Sequence, residues 1–422
     1  MAIDDAEPQA RTSTRHLHPR SSNGATASQS RRSSGTAKRP TSSRSSRRVK
    51  HEEPVEDEAQ PVAKKRRTSS VGADDKVAVF EEPADEPVVL DTHLEETKVN
   101  AALEEAKWEE LDREDDADPL MVSEYVVEIF QYLRKLEIET LPDPLYMNGQ
   151  PDLAWKMRGI LMDWLIQVHN RFRMLPETLF LAVNIVDRFL SVRAVSLVKL
   201  QLMGITAMFI ASKYEEIMSP ALSHYMECTE HSYEDGDILE AEQYILSSID
   251  YNLSYPNPVT FLRRASKADG YDLPTRTVAK YLIEISCVDY RFLPHPPSQV
   301  AAAGIWFARL ILEKDDWTPT LAHFSGWKEE DIIPVVQLMI TYLLRAVKHE
   351  CFYQKYASKK YMKVSKYVRE WLWAKFVDPT LHIVPSPGSV SLVDELPRLR
   401  EEIRLAREAE GLLLQPVTEV DE

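Results

Sequence analysis

The sequence predicts an all-α protein with two tandem domains of about five helices each, an additional N-terminal helix and a disordered N-terminal tail. Three observations carry this. From Asp152 to about Phe376, apolar residues recur at spacings of three and four, the signature of helices with a buried face. No segment alternates apolar and polar residues as a half-buried strand would. The run Tyr255-Pro256-Asn257-Pro258 interrupts the periodic region near its middle, as a break between two helical sets should.

The tail is read as residues 1–117. From Pro8 to His51 there are eleven Lys or Arg and no acid, whereas Val71–Leu120 holds eighteen Asp or Glu against four Lys or Arg. Opposed charge blocks with few large apolar residues cannot offset the entropy of ordering. Two basic clusters, Arg47-Arg48-Val49-Lys50 and Lys64-Lys65-Arg66-Arg67, lie thirteen residues apart. That spacing suits a bipartite nuclear-import signal, and the bland alternative is a solvated basic tail. Direct nucleic-acid binding is not expected, because acids follow immediately and no aromatic residues interleave with the basic ones.

Order is expected to begin at Asp118-Pro119, a helix cap and first-turn proline. The helix Leu120–Glu137 gathers Val122, Tyr125, Val126, Ile129, Phe130 and Leu133 on one side. The first domain, 118–254, continues with helices from Asp152 to Phe172, Pro176 to Ser191, Ser196 to Glu216, around Ala221–Cys228, and Asp235 to Asp250. The second, 255–376, holds Val259–Ala268, Thr275–Val288, Pro297–Glu313, Lys328–Ala346 and Ser358–Lys375. Small residues in two long apolar helices, Gly204 with Ala211 and Ala301–Gly304 with Ala308, suit the central helix of each bundle. In the extension 377–422, Ser386-Pro387 is a proline-directed serine. Asp394–Leu414 reads equally as a charged helix packed on the fold or as a solvated tail.

Several function classes are excluded. No two of the twelve glycines are closer than ten positions, so no Gly-rich phosphate loop can form. No kinase, serine-hydrolase, zinc-protease or CxxC motif occurs. Cys228, Cys287 and Cys351 are few and scattered, which argues against a disulfide framework and against a zinc site. No run reaches the ~18 apolar residues of a membrane helix, and the N-terminus lacks a secretory signal. No cofactor, metal or membrane partner is expected, and no enzymatic activity.

Charged residues inside apolar helices demand partners. Arg158 interrupts a helix that is apolar over most of its circumference, and Asp187 stands alone in Asn184–Leu190. We read them as a buried ion pair fixing the register of adjacent helices. Met157, Ile160, Leu161 and Trp164 form one stripe, which periodicity alone reads as core and a functional reading makes a groove for a short peptide. Lys213 ends a long apolar helix, where it complements the helix dipole. Glu242 flanks an apolar face. The sharper reading is a polar pair that clamps a partner helix, with Tyr214 and Tyr251 as anchors. Spacing leaves both open.

These residues carry a resemblance. DPLMVSEYVVEIF (118–130), MRGILMDWLIQVH (157–169), ETLFLAVNIVDRFLS (177–191), KLQLMGITAMFIASKYEEI (199–217) and PNPVTFLRRASKADGYD (256–272) resemble the cyclins, and among them the mitotic B-type cyclins of fungi. The resemblance implies two tandem five-helix cyclin boxes and a non-enzymatic regulatory subunit. Such a subunit binds and activates a cyclin-dependent protein kinase for entry into and passage through mitosis, contributes to substrate selection, and resides in the nucleus with a cytoplasmic pool. It implies that Lys213, Tyr214, Glu242, Tyr251 and Leu253 contact the kinase, and that Arg158 and Asp187 are the structural pair. It implies a docking patch of Met157, Ile160, Leu161, Trp164 and Gln201 for substrates and inhibitors with short motifs. Two departures stand out. Gln167 replaces an acid that meets a basic residue of the docked peptide, and Leu197 stands where a basic residue is common. The tail also has no RxxL or KEN degradation signal. An alternative within the same twin-box architecture is a transcription-associated factor that binds promoter machinery.

Overall fold

The computed structural model describes residues 108–314, 317–377 and 390–413. The basic clusters of 47–67 and Ser386 lie outside them. Among the described residues there are fourteen α-helices and no strand.

Helix α1 spans Val126–Glu139, later than a start at Leu120. Asp118 caps a turn instead of a helix: its carboxylate accepts the Leu120 N–H at 3.0 Å, and its carbonyl accepts the Met121 N–H. Val122 then sits at φ 52°, a left-handed conformation costly for a β-branched residue, and a 3-10 turn over Ser123–Tyr125 leads into α1.

The first domain holds α2 (Trp155–Phe172), α3 (Pro176–Val192), α4 (Leu197–Glu215), α5 (Leu222–Cys228) and α6 (Asp235–Ser248). The second repeats the pattern with α7 (Pro258–Lys267), α8 (Leu273–Val288), α9 (Pro297–Ile311), α10 (Pro319–Ser325) and α11 (Glu329–Leu344). In each set the fourth helix has seven residues. Beyond the repeat come α12 (Glu350–Ala357), α13 (Val364–Phe376) and α14 (Leu392–Leu413). Residues 255–376 thus hold seven helices where periodicity gives five. The two extra ones, α10 and α12, have seven and eight residues, too few to declare a period.

Proline occupies the start of α3, α7, α9 and α10, where its missing N–H costs nothing. The break at 255–258 is therefore also a start signal: Asn257 caps α7 by accepting the N–H groups of Val259 and Thr260. Each domain is built around its third helix. Met203–Ser212 of α4 and Pro297–Ala308 of α9 are buried without interruption. A Cβ on Gly204 would lie 2.7 Å from Leu161 Cδ1, and one on Gly304 would lie 2.5 Å from Ile283 Cγ2. A Cβ at either position would force its neighbour to shift, least expensively at Gly204, where the facing atoms end a flexible leucine.

Arg158 of α2 and Asp187 of α3 form a two-pronged ion pair, Nε to Oδ1 at 2.7 Å and Nη2 to Oδ2 at 2.8 Å. Both side chains are at most 2% exposed. Tyr146 donates its hydroxyl to Asp187 Oδ1 at 2.9 Å. Burial works against the Arg158 charge, but Asp187 more than offsets it and raises the pKa above the ordinary arginine value. The second domain carries its own buried pair: Lys355 of α12 donates to both oxygens of Glu284 on α8 at 2.6 and 2.7 Å, and Tyr356 adds a third bond.

Helix α2 serves both domains. Gly159 faces His349 and the Val288 carbonyl. Asp163 accepts the N–H groups of Cys351 and Phe352 at 3.1 and 2.8 Å, capping α12. Trp155 stacks on Tyr290 with ring centroids 4.3 Å apart. Helix α1 is also fastened to the second domain. Glu137 is buried and accepts the Ser298 N–H at 2.8 Å and the Ser298 hydroxyl at 2.7 Å at the start of α9. Burial pushes its carboxyl up to about 7, with those bonds and Arg134 acting in the opposite direction.

Two stretches flanking the expected domains also pack on the fold. Residues 108–116, which the sequence assigns to the tail, lie against the second domain: Asp112 and Asp115 pair with Arg264 and Lys267. The C-terminal extension contains a packed helix. In α14, Leu392 and Leu399 are buried. Gln337 of α11 donates to the Val390 carbonyl and accepts the Leu392 N–H, both at 2.7 Å, and Lys375 pairs with Glu402 at 2.8 Å.

Candidate functional site

Helices α4 and α6 pack together, and where α4 ends they present a polar pair on the surface. Lys213 pairs with the Glu242 carboxylate, and its ammonium lies 4.2 Å from the centre of the Phe209 ring. The lysine side chain is 43% exposed and the glutamate side chain 13%. The two residues thus hold each other in the free chain, and the lysine keeps an outward face. Tyr214 beside it is 54% exposed and Tyr251, past the end of α6, is 67% exposed. Leu253 is half-buried against the core.

Sequence reasoning missed two residues here. Ile217 is 100% exposed and Met218 87%, within five positions of Lys213. Their signal was available: two adjacent large apolar residues in a short polar connection, outside any helical stripe. Exposed apolar side chains close to a polar pair make this a candidate surface for a partner. Close by, Glu216 accepts the Leu175 N–H at 2.7 Å and the Thr178 hydroxyl at 2.6 Å, tying the end of α4 to the start of α3. Burial, with like charge from Glu177 and Glu216, raises the pKa of Glu215 above the usual carboxylate value.

The second candidate surface lies on α2 and α4, and the structure divides the expected stripe. Ile160 points outward at 62% exposure, whereas Leu161 is 5% exposed and seated over Gly204. Met157, Trp164 and Gln201 are half-buried, and Gln167 is exposed. Leu197 and Val198 at the start of α4 are also exposed. A ligand would therefore meet Ile160, Trp164 and the rims of Met157 and Gln201, while Leu161 forms the floor.

Two family models cover the helical domains: the cyclin N-terminal domain matches residues 128–254 and the cyclin C-terminal domain residues 256–370. The chain is 60% identical over 269 residues to the G2/mitotic-specific cyclin cdc13 of Schizosaccharomyces pombe, covering 64% of this chain and 56% of that protein. It is 52% identical over 324 residues to the G2/mitotic-specific cyclin-B of Emericella nidulans, covering 73% of this chain and 68% of that protein. With the G2/mitotic-specific cyclin-2 of Saccharomyces cerevisiae the identity is 47% over 271 residues, covering 64% and 55%. The chain thus spans between about half and two thirds of the length of these relatives.

Proposed function

The chain belongs to the cyclin family, and from that premise we propose that it is the regulatory subunit of a cyclin-dependent protein kinase, acting at entry into and passage through mitosis. The observation that carries this reading is the face built on α4 and α6. It is a fixed polar pair, Lys213 and Glu242, beside the exposed Tyr214, Ile217 and Met218. The mitotic names of the relatives favour this reading over the promoter-binding alternative.

The mechanism is a shift of population in the partner. A kinase of this class needs an ion pair between a strand lysine and a helix glutamate, and the position of that helix decides whether the pair forms. A surface complementary only to the inward position stabilises the active state by its differential affinity. Moving the helix from mostly out to mostly in requires about 5.5 kcal/mol of such preference. A rigid face suits this, because none of the preference is then lost in ordering the cyclin side. The kinase supplies nucleotide, metal and reacting groups. This chain supplies shape and two charges.

The patch around Ile160 and Trp164 is proposed to hold short apolar motifs of substrates and inhibitors. With Gln167 in place of an acid, the basic residue of such a motif gains a hydrogen bond at most and no ion pair. We further propose nuclear residence, with a cytoplasmic pool, through the basic clusters of 47–67.

Co-purification with the kinase subunit and a histone kinase assay test the central claim. Lys213→Glu and Glu242→Lys should each fold, as judged by circular dichroism, and fail to activate. The double exchange Lys213→Glu/Glu242→Lys restores an internal pair with its polarity reversed, and it should still fail. Full activation by the double exchange would mean that the pair only joins α4 to α6.

A further inference from the structure

A groove on the second domain is occupied by the chain's own acidic segment. Its walls are Arg264 and Lys267, one turn apart on α7, and Thr320, His323 and Phe324 on α10. The Arg264 guanidinium lies 4.3 Å from the centre of the Phe324 ring and 5.3 Å from that of Phe130. The side chains of Arg264 and Lys267 are only 10% and 6% exposed. Among the described residues, their ion-pair partners come from a single short segment. Cations this sheltered require anions.

Residues 108–115 supply them. Asp112 receives both Arg264 terminal nitrogens, at 2.5 and 2.7 Å, and Lys267 at 3.2 Å; Asp115 receives Lys267 at 2.5 Å. The Trp108 indole stacks on His323 with centroids 3.5 Å apart and planes 8° from parallel. The Glu109 N–H reaches the Thr320 hydroxyl at 3.2 Å. Burial would raise the Asp112 pKa, but Arg264 and Lys267 outweigh it and hold it below the usual carboxylate value. The groove therefore reads an aromatic ring at one position and carboxylates four and seven positions later. Not one residue of 108–116 is buried. The segment contributes no fully buried residue, so another anionic segment can exchange with it provided Arg264 and Lys267 are not left unpaired.

We propose that this groove is a recognition site for acidic peptide segments that carry an aromatic residue, and that residues 108–115 are its resident, displaceable occupant. The site lies on α7 and α10, separate from the kinase face on α4 and α6.

The test uses the full chain with Asp112→Lys/Asp115→Lys, hydrogen exchange over 108–117, and a labelled synthetic peptide of residues 106–117 read by fluorescence polarisation. Exchange should rise in the variant. The peptide should bind the variant at least about tenfold more tightly than the parent chain, whose tethered segment competes at high effective concentration. A peptide carrying Asp112→Asn and Asp115→Asn, or one carrying Trp108→Ala, should lose that binding, and neither depends on a further protein variant folding. Unchanged exchange in the variant overturns the proposal. So does equal peptide binding to both chains, or binding indifferent to the peptide's carboxylates and indole.

Discussion

Removing the Arg158 guanidinium is the most informative single perturbation of this fold. Arg158→Ala leaves Asp187, whose side chain is 2% exposed, with only the Tyr146 hydroxyl for company. Stranding a buried charge in this way costs about 3–5 kcal/mol. At about 2–4 °C per kcal/mol for a domain of this size, the melting temperature should fall by about 6–20 °C. Two companions locate the cause. Tyr146→Phe removes one hydrogen bond to a charged group and should cost about 1.5–3 kcal/mol. Arg158→Met/Asp187→Leu removes both charges while keeping apolar volume, and buried pairs replaced in this way are often neutral. The double variant should therefore melt above Arg158→Ala. Urea unfolding of the four proteins reads the differences directly. If Arg158→Ala melts within about 1 °C of the parent chain, or if the double variant is the least stable, the register role of this pair is wrong.

Three further outcomes follow from the geometry. Glu137 has its carboxyl raised to about 7 in the fold, so protonation favours the folded state. Its contribution is complete below the ordinary carboxylate range and is lost as pH rises through about 7, with a slope of at most about 1.4 kcal/mol per pH unit. Glu137→Gln should flatten the profile of urea midpoint against pH between these limits. Gly304→Ala places a Cβ 2.5 Å from Ile283 Cγ2 and 3.4 Å from the Ala279 carbonyl oxygen. It should cost about 1–3 kcal/mol by overpacking, with Ile283→Ala in the same chain recovering part of the loss in thermal melts. Leu399→Asp buries a charge beneath α14 and should release that helix. Hydrogen exchange over 392–413 should then rise while protection in α4 is unchanged.

The parts of the fold readable in the sequence are those where a local signal has one physical meaning. Arg158 and Asp187 sit inside apolar runs of neighbouring helices, where each needs an opposite charge, and prolines at helix starts are nearly as explicit. Other parts depend on residues far along the chain. The acidic run 108–116 looks like a solvated tail because its cations, Arg264 and Lys267, lie about 150 positions away. The helices α10 and α12 are hard to read because two turns display little of a period, although the equally short α5 is legible. The stripe on α2 mixes a floor residue, Leu161, with an outward one, Ile160, because adjacent positions on a wide apolar face can turn to different sides. Ile217 and Met218 lie between helices and carry no helical period, although their exposure makes them part of the candidate kinase face.

The doubly used helix α2 has a consequence for how the molecule comes apart. Its Asp163 carboxylate completes the first turn of α12, and its Gly159 gives room to His349. A second domain produced alone from Pro256 would start α12 with two orphaned N–H groups and would leave the surface beneath His349 wet. The repeated order of helices therefore marks no pair of autonomous folding units. Calorimetry of the full chain should give one endotherm for both halves, and the isolated halves should melt far below it or fail to fold.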